Sequence, residues 1–211
     1  MKTPGEVLET GQFLRYLTRS TGKVRTGMGA ARQDVNVSVT GGTRVEIKGV
    51  AHLKWTPELT HNEMFRQVAL LKIAETLKKR AKTDVWTIKH REITEKGLSD
   101  TVKSHLGADD GDCKVFAVNV PKFAGILSFF TQVGKTFANE LAERLKVIPC
   151  LERPNMLCSE DLDESLDEKA WNDIRKQLGA GGEDAQIVFQ APAADVETAL
   201  ETIEERCQIA F

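Results

Sequence analysis

Two short segments of the sequence carry the side chains best suited to chemistry. The first runs from Arg32 to Ser38 and the second from Arg44 to Lys48, and in both segments polar residues alternate with valine or isoleucine. Since successive side chains of a β-strand point to opposite faces, each segment is predicted to be a strand with one polar face. Two carboxylates surrounded by cations would suit a Mg²⁺ ion and the phosphates that it bridges. The polar residues are Arg32, Asp34, Asn36, Ser38, Arg44, Glu46 and Lys48.

The same pattern also has a purely structural interpretation. Polar side chains are normal on the exposed face of a hairpin, and cross-strand ion pairs are common there. If the strand register brings the two polar faces together, Asp34 and Glu46 lie close to each other among the cations. The pattern alone leaves both interpretations open.

Other kinds of site lack support in the sequence. There is no phosphate-binding loop of the Walker type and no nucleophile elbow. The four cysteines and four histidines are scattered without the close spacing of zinc ligands, so we expect reduced, mostly buried thiols.

The elements that would position the polar cluster are a hairpin and two helices. Gly41-Gly42 predicts a tight turn between the two strands. Residues 5–19 have the spacing of a short amphipathic helix. A longer helix is predicted from Pro57 to about Lys82, with Thr56 as its N-cap and an apolar stripe. That stripe is predicted to contain Met64, Val68, Leu71 and Leu77, widened by Ala69, Leu70 and Ile73.

The remainder of the chain, from residue 83, has the pattern of a separate α+β domain with two or three helices over a small antiparallel sheet. One predicted helix, 167–178, would be capped by Asp163 or Ser165 and ended by Gly179. Strands are predicted at 85–88, 115–120 and 186–189, a polar turn at 107–112, and further helices at 134–146 and 195–207.

Charge divides the chain in the same place. Residues 1–82 contain 15 Lys and Arg against 7 Asp and Glu, and residues 83–211 contain 14 against 24, so the net charges are +8 and −10. The basic half could meet a polyanion, or charge could simply differ between two domains. With neither a secretory signal nor an apolar run of membrane-spanning length, the sequence predicts a cytoplasmic protein.

Three stretches of the first half together resemble the signature of the GatB/GatE family. They are Arg19–Arg25, Arg32–Val39 and Arg44–Val50, and their wording is closer to the GatE branch. The helix containing Glu63, Arg66 and Gln67 is similar to the family's helix after the hairpin. The second half resembles, in shorter stretches, the insertion (GAD) domain that GatE shares with bacterial-type aspartyl-tRNA synthetases. Those stretches are Phe123–Leu127, Gly134–Leu141 and Ser159–Leu162.

This resemblance implies an α+β protein in which residues 1–82 are the C-terminal part of a kinase/transamidase domain and residues 83–211 are the insertion domain. It implies a protein that works with the glutaminase GatD to convert Glu-tRNA(Gln) into Gln-tRNA(Gln), using ATP and Mg²⁺. Asp34 and Glu46 would bind the metal, and the basic half would meet the tRNA acceptor end. The implied catalytic residues are Arg32, Asp34, Glu46 and Lys48, and the implied nucleotide-binding residues are Arg44 and Asn36.

The family also has a long segment ahead of this one and a further C-terminal region, so the chain is expected to be inactive alone. One alternative is a non-catalytic module that binds tRNA or a partner, with the hairpin as scaffold. A piece of an aspartyl-tRNA synthetase would leave the hairpin motif unexplained.

Overall fold

The computed structural model describes residues 1–27, 30–81, 86–107, 113–161 and 166–210. Helices and antiparallel sheets make up the chain, so the predicted α+β class is confirmed. The chain divides into two compact units, residues 1–72 with 131–133 and residues 73–130 with 134–211. The domain boundary predicted after residue 82 stays a prediction.

The first unit contains a helix, a hairpin and most of a second helix. Helix α1 is Pro4–Ser20, strands β1 and β2 are Gln33–Val37 and Val45–Val50, and helix α2 is Thr56–Arg80. A 3₁₀ turn, Leu53–Trp55, leads into α2, so Thr56 begins the helix and is not its N-cap. The predicted hairpin and both predicted helices are confirmed.

Helix α1 has a well-defined N-terminus, and most of its side chains are exposed or half-buried. Thr3 accepts a hydrogen bond from the Glu6 backbone N–H while the Glu6 carboxylate accepts one from the Thr3 N–H, which satisfies two of the free donors at the helix start. Gly11 is the helix's buried residue. The predicted apolar face is instead largely exposed on this unit, at Phe13 (62%), Leu14 (47%) and Leu17 (50%).

Helix α2 buries part of the predicted stripe, including Ala69. Val68 and Leu71 are exposed, at 42% and 37%, whereas Gln67 is buried beside Ala69. β1 and the segment after it contact α2 through hydrogen bonds to Gln67 as well as through the apolar side chain of Met64. Leu77 and Ile73 are buried as predicted, in the second unit.

The second unit is built on a four-stranded antiparallel sheet in the order β3-β4-β8-β7. The strands are β3 Lys89–Glu92, β4 Cys113–Val120, β7 Met156–Cys158 and β8 Ala185–Pro192. The predicted strands at 115–120 and 186–189 lie within β4 and β8. Residues 86–88 of the predicted strand 85–88 lie outside any strand, and residue 85 lies outside the described residues.

Helices cover both faces of this sheet, and four lie in the described residues of this half where two or three were expected. They are α3 Lys96–Leu106, α4 Phe137–Val147, α5 Glu168–Leu178 and α6 Val196–Gln208; short strands β5 Phe130–Gln132 and β6 Lys135–Thr136 precede α4. Val102 and Ile174 of α3 and α5 pack with Val188 of β8 in one apolar cluster. Ile187 and Phe189 alternate with Val188 and are fully buried, so they face the opposite side, where α6 contacts β8.

The ends of α5 show which of its predicted boundaries are correct. Asp167 is the N-cap, and its carboxylate accepts a hydrogen bond from the Ala170 N–H at 2.7 Å. The predicted caps, Asp163 and Ser165, lie outside the described residues, as does the predicted polar turn beyond Gly107. Gly179 ends the helix in the left-handed conformation, as predicted.

Candidate functional site

The hairpin of the first unit presents one polar face. Val35 and Val37 of β1 are buried, together with Val50 of β2, in a small apolar cluster against which Val7 and Met64 pack. The intervening side chains of both strands are exposed. The alternation in the sequence therefore predicts correctly which residues of the hairpin face outward. They are Asp34, Asn36, Glu46 and Lys48.

The strand register decides which of these side chains are neighbours. Asn36 lies directly opposite Glu46, and Val37 lies opposite Val45. The register then shifts between Gln33 and Val35, which places Asp34 opposite a β-bulge at Lys48 and Gly49 of β2. The residue directly across from Glu46 is therefore Asn36, and Asp34, the expected neighbour of Glu46, lies two residues earlier on β1.

Each carboxylate of this face has one contact within the hairpin. Asp34 Oδ1 accepts a hydrogen bond from the Gly49 N–H at 2.7 Å. Glu46 Oε2 forms an ion pair with the ammonium of Lys48 at 3.2 Å. Gly49 adopts a φ of +71°, a conformation that favours glycine, so the bulge and the Asp34 contact form one local structure.

The cations at the strand ends are available to an anion. Arg32 precedes β1, Arg44 precedes β2, and both are exposed. Neither forms an ion pair within the described part of the chain. Guanidinium groups without a protein partner can bind a phosphate through two parallel hydrogen bonds.

The donor set of the hairpin fits a magnesium ion that phosphate groups help to hold. Mg²⁺ in phosphoryl-transfer sites takes one or two carboxylates and completes its shell with water and phosphate oxygens. Asp34 and Glu46 each use one oxygen in the contacts above, which leaves Asp34 Oδ2 and Glu46 Oε1. Among the residues that the structure describes, no group of three or more His, Cys, Asp or Glu is arranged to hold a metal ion.

Two residues near this face were not predicted to have a role. Gly49 interrupts the alternation of β2, and a lone glycine within a strand pattern can indicate a bulge. Gln67 is buried on α2 and contacts the backbone of β1. In the sequence, the only sign of a role for Gln67 was its place as a polar residue among the apolar positions of the helix.

Both a family model and curated relatives match this chain. Residues 1–103 match the family model described as the GatB/GatE catalytic domain. The chain is also similar along its length to curated GatE proteins of glutamyl-tRNA(Gln) amidotransferase. It is 35% identical to the one from Pyrobaculum calidifontis over 215 residues, covering 99% of this chain and 34% of the relative. It is 32% identical to the one from Methanospirillum hungatei over 213 residues, covering 100% of this chain and 33% of the relative.

The chain therefore belongs to the GatB/GatE family, as its hairpin motif predicts, and the relatives that match it are subunits of a tRNA-dependent amidotransferase. It spans about a third of the length of those curated relatives. No helix in the described parts of the chain is both long enough and apolar enough to cross a bilayer.

Proposed function

We propose that this chain supplies part of the ATP- and Mg²⁺-dependent site of a tRNA-dependent amidotransferase, which converts Glu-tRNA(Gln) into Gln-tRNA(Gln). The observation that carries this proposal is the exposed face on which Asn36 lies opposite Glu46, flanked by Asp34 and Lys48. It combines metal-binding oxygens with a cation on one rigid hairpin. Residues 83–211 would be the insertion domain of the same protein.

The chemistry requires activation of a carboxylate. The γ-carboxylate oxygen of the tRNA-linked glutamate forms a bond to the γ-phosphorus of ATP, and the bond from that phosphorus to the β,γ-bridging oxygen breaks to release ADP. Ammonia then attacks the acyl carbon, the bond from carbon to the phosphate oxygen breaks, and phosphate leaves as the nitrogen loses a proton. A carboxylate by itself is a poor electrophile, whereas phosphate is a good leaving group.

Different residues of the hairpin would have different roles in this reaction. A bound Mg²⁺, held by Asp34 and Glu46, would neutralise charge on the phosphate oxygens. Arg32 and Lys48 would contact the phosphoryl group as its charge spreads in the transition state. Arg44 and the Asn36 amide would hold the nucleotide.

The partners follow from the same proposal. Ammonia would come from the glutaminase GatD, and the tRNA(Gln) acceptor end would meet the basic first half, whose net charge over residues 1–82 is +8. The cytoplasm, where translation takes place, would be the site of action.

We further propose that the chain does not transamidate alone. It spans about a third of the relatives' length. The exposed aromatic and aliphatic side chains on α1, including Phe13 and Tyr16 at 74%, are consistent with a first unit that other polypeptide normally covers.

A second function is supported by one specific observation. Asp34 and Glu46 each already have a contact within the hairpin, with Gly49 and Lys48. These contacts are what a scaffold would need, so the chain could be a non-catalytic module that binds tRNA or a partner protein.

The experiment is transfer of ³²P-phosphate from ATP to Glu-tRNA(Gln). It compares the chain alone with the chain plus the part of the Pyrobaculum calidifontis relative that it does not cover. We expect transfer only with the supplement, and loss of transfer in Asp34→Asn and Glu46→Gln. Glu58→Gln, an exposed glutamate of the same unit, is the matched control and should keep transfer. An assembled, tRNA-bound complex without transfer would instead favour the binding module.

A further inference from the structure

The buried side chain of Gln67 connects helix α2 to the end of strand β1. Its Oε1 accepts a hydrogen bond from the Val39 N–H at 3.0 Å, and its Nε2 donates to the Val37 carbonyl at 3.2 Å. Gln67 is only 6% exposed. One side chain thus binds the backbone on both sides of Ser38, just where the pairing of β1 with β2 ends.

A third contact fixes the orientation of the Gln67 amide. Its Nε2 also donates to Glu63 Oε1 at 2.9 Å, one helical turn earlier on α2. A carboxylate and a carbonyl can only accept, and the Val39 N–H can only donate, so all three contacts require the same amide orientation. Rotation of the amide by half a turn would lose all of them.

The hairpin turn lies against the same side chain. A Cβ atom added at Gly42 would come within 3.0 Å of Gln67 Oε1, and one added at Gly41 within 3.7 Å of Leu71. The Gly42 N–H also donates to the Val39 carbonyl at 3.0 Å. The Gln67 amide therefore contacts the end of β1 and the turn that leads to β2.

These contacts begin one residue beyond the polar face. Val37 pairs with Val45, and the next pair along the ladder is Asn36 with Glu46. Because an antiparallel ladder transmits a shift of one pair to the next, the position of the Val37 carbonyl sets the position of Asn36 and Glu46.

We propose that Gln67 is a positioning residue for the hairpin site: it holds the end of β1 so that Asn36 and Glu46 face a common ligand. This inference rests on the proposed function for the identity of that ligand. Outer residues that orient metal ligands typically affect metal affinity by roughly 10- to 100-fold.

The test uses the ¹⁵N-labelled chain and two methionine variants of similar side-chain size. Gln67→Met removes all three hydrogen bonds, and Gln12→Met changes an exposed glutamine of α1 as the matched control. Two quantities are measured by NMR at a temperature where all proteins are folded. One is hydrogen exchange of the Val39 amide, and the other is the line broadening that Mn²⁺ alone causes at the Asn36 and Glu46 amides.

In Gln67→Met we expect Val39 to exchange about tenfold faster and the Mn²⁺ concentration for half-maximal broadening to rise about tenfold, with no change in Gln12→Met. Faster exchange with unchanged Mn²⁺ broadening would overturn the proposal, because Gln67 would then serve stability alone. Unchanged exchange would overturn it as well. Should Gln67→Met fail to fold, Gln67→Glu keeps an acceptor for the Val39 N–H and loses both donated bonds, so Val39 exchange is no longer the readout. For that variant a rise in the Mn²⁺ concentration for half-maximal broadening supports the proposal, and an unchanged concentration overturns it.

Failure of the proposed function is recognisable separately. If the unmodified chain shows no selective Mn²⁺ broadening at the hairpin, the metal part of the proposed function is wrong. The chemical shifts of the Asn36 and Glu46 amides, which need no metal, then decide the positioning role. A displacement confined to Gln67→Met supports that role, and unchanged shifts overturn it.

Discussion

The carboxylate of Asp34 accepts a hydrogen bond from the backbone N–H of Gly49, with 2.7 Å between Oδ1 and the nitrogen. These two residues lie on neighbouring strands at the bulge that interrupts the pairing of β1 with β2. Asp34 thus has two separable properties, an acceptor oxygen for the bulge and a negative charge for a cation. Substitutions can test the two independently.

Asparagine and alanine at position 34 should have different effects. Asp34→Asn keeps an acceptor for the Gly49 N–H and removes the charge, so we expect an unchanged Tm with weaker Mn²⁺ binding. Asp34→Ala removes both, so the Tm should also fall. Thermal unfolding and Mn²⁺ titration of the two variants check this expectation. Equal losses of Tm in both variants would mean that the charge itself stabilises the bulge.

Gly49 is expected to resist substitution because of its backbone conformation. With φ at +71° and no heavy atom within 4 Å of an added Cβ, Gly49→Ala should lower the free energy of unfolding by about 1 kcal/mol through backbone strain alone. Gly97→Ala is the control, because that glycine lies in α3 with equally open space and no positive φ, and alanine is the better helix former. Denaturant unfolding measures both. An unchanged free energy of unfolding in Gly49→Ala would contradict the expected backbone strain at this position.

Substitutions of the two residues in the buried ion pair of the second unit should have coupled effects on the free energy of unfolding. Arg206 Nη2 lies 2.9 Å from Glu140 Oε2, with the side chains 4% and 11% exposed, and the guanidinium lies 4.4 Å from the centre of the Phe137 ring. Arg206→Met removes this ion pair, so we expect the free energy of unfolding to fall by about 1.5–3 kcal/mol, the range for hydrogen bonds to charged groups.

The double variant Arg206→Met with Glu140→Leu tests whether that loss depends on Glu140. Its loss of unfolding free energy should be smaller than the sum of the two single losses, because the ion pair between the two side chains can be lost only once. Unfolding free energies of the wild type, both single variants and the double variant form the cycle. Additive effects would show that the two side chains act independently.

The buried thiol of Cys207 should make the protein less stable in alkali. Burial raises the pKa of Cys207 from 9.0 to about 12. Above pH 9 the unfolded chain therefore loses this proton while the folded chain keeps it, so the contribution to stability is complete below pH 9 and is lost as the pH rises toward 12.

Cys207→Ala removes this contribution. We expect its Tm to fall less steeply between pH 9 and pH 11 than that of the wild type, whatever the Tm at pH 8. Cys150→Ala is the matched control, since Cys150 is exposed, and its slope should equal the wild-type slope. Identical slopes in all three proteins would rule out a titrating Cys207.

The sequence predicted the elements with strong periodicity and missed those without it. Alternating valines predicted the hairpin, and β4 and β8 carry apolar runs typical of a buried sheet. Strand β3 (Lys89–Glu92) was displaced and α3 was missed, because an edge strand of polar residues and a short helix with two buried residues carry little of the apolar pattern. The second predicted helix had the right bounds, and Ala69, Ile73 and Leu77 of its predicted stripe are buried. The burial of Gln67 was missed because it depends on hydrogen bonding and not on hydrophobicity.

For the candidate site, the order of residues was enough to predict the family motif and the outward face of the hairpin. Both follow from residue order, since the pleat of a strand alternates side chains whatever surrounds it. Three relationships came only from the three-dimensional structure: Glu46 lies opposite Asn36, Asp34 lies across from the bulge and contacts Gly49, and Gln67 binds the end of β1. These relationships depend on strand register and on contacts between residues as far as 30 positions apart, such as Gln67 with Val37. No local pattern encodes them, because register and packing are chosen by the energy of the whole folded unit.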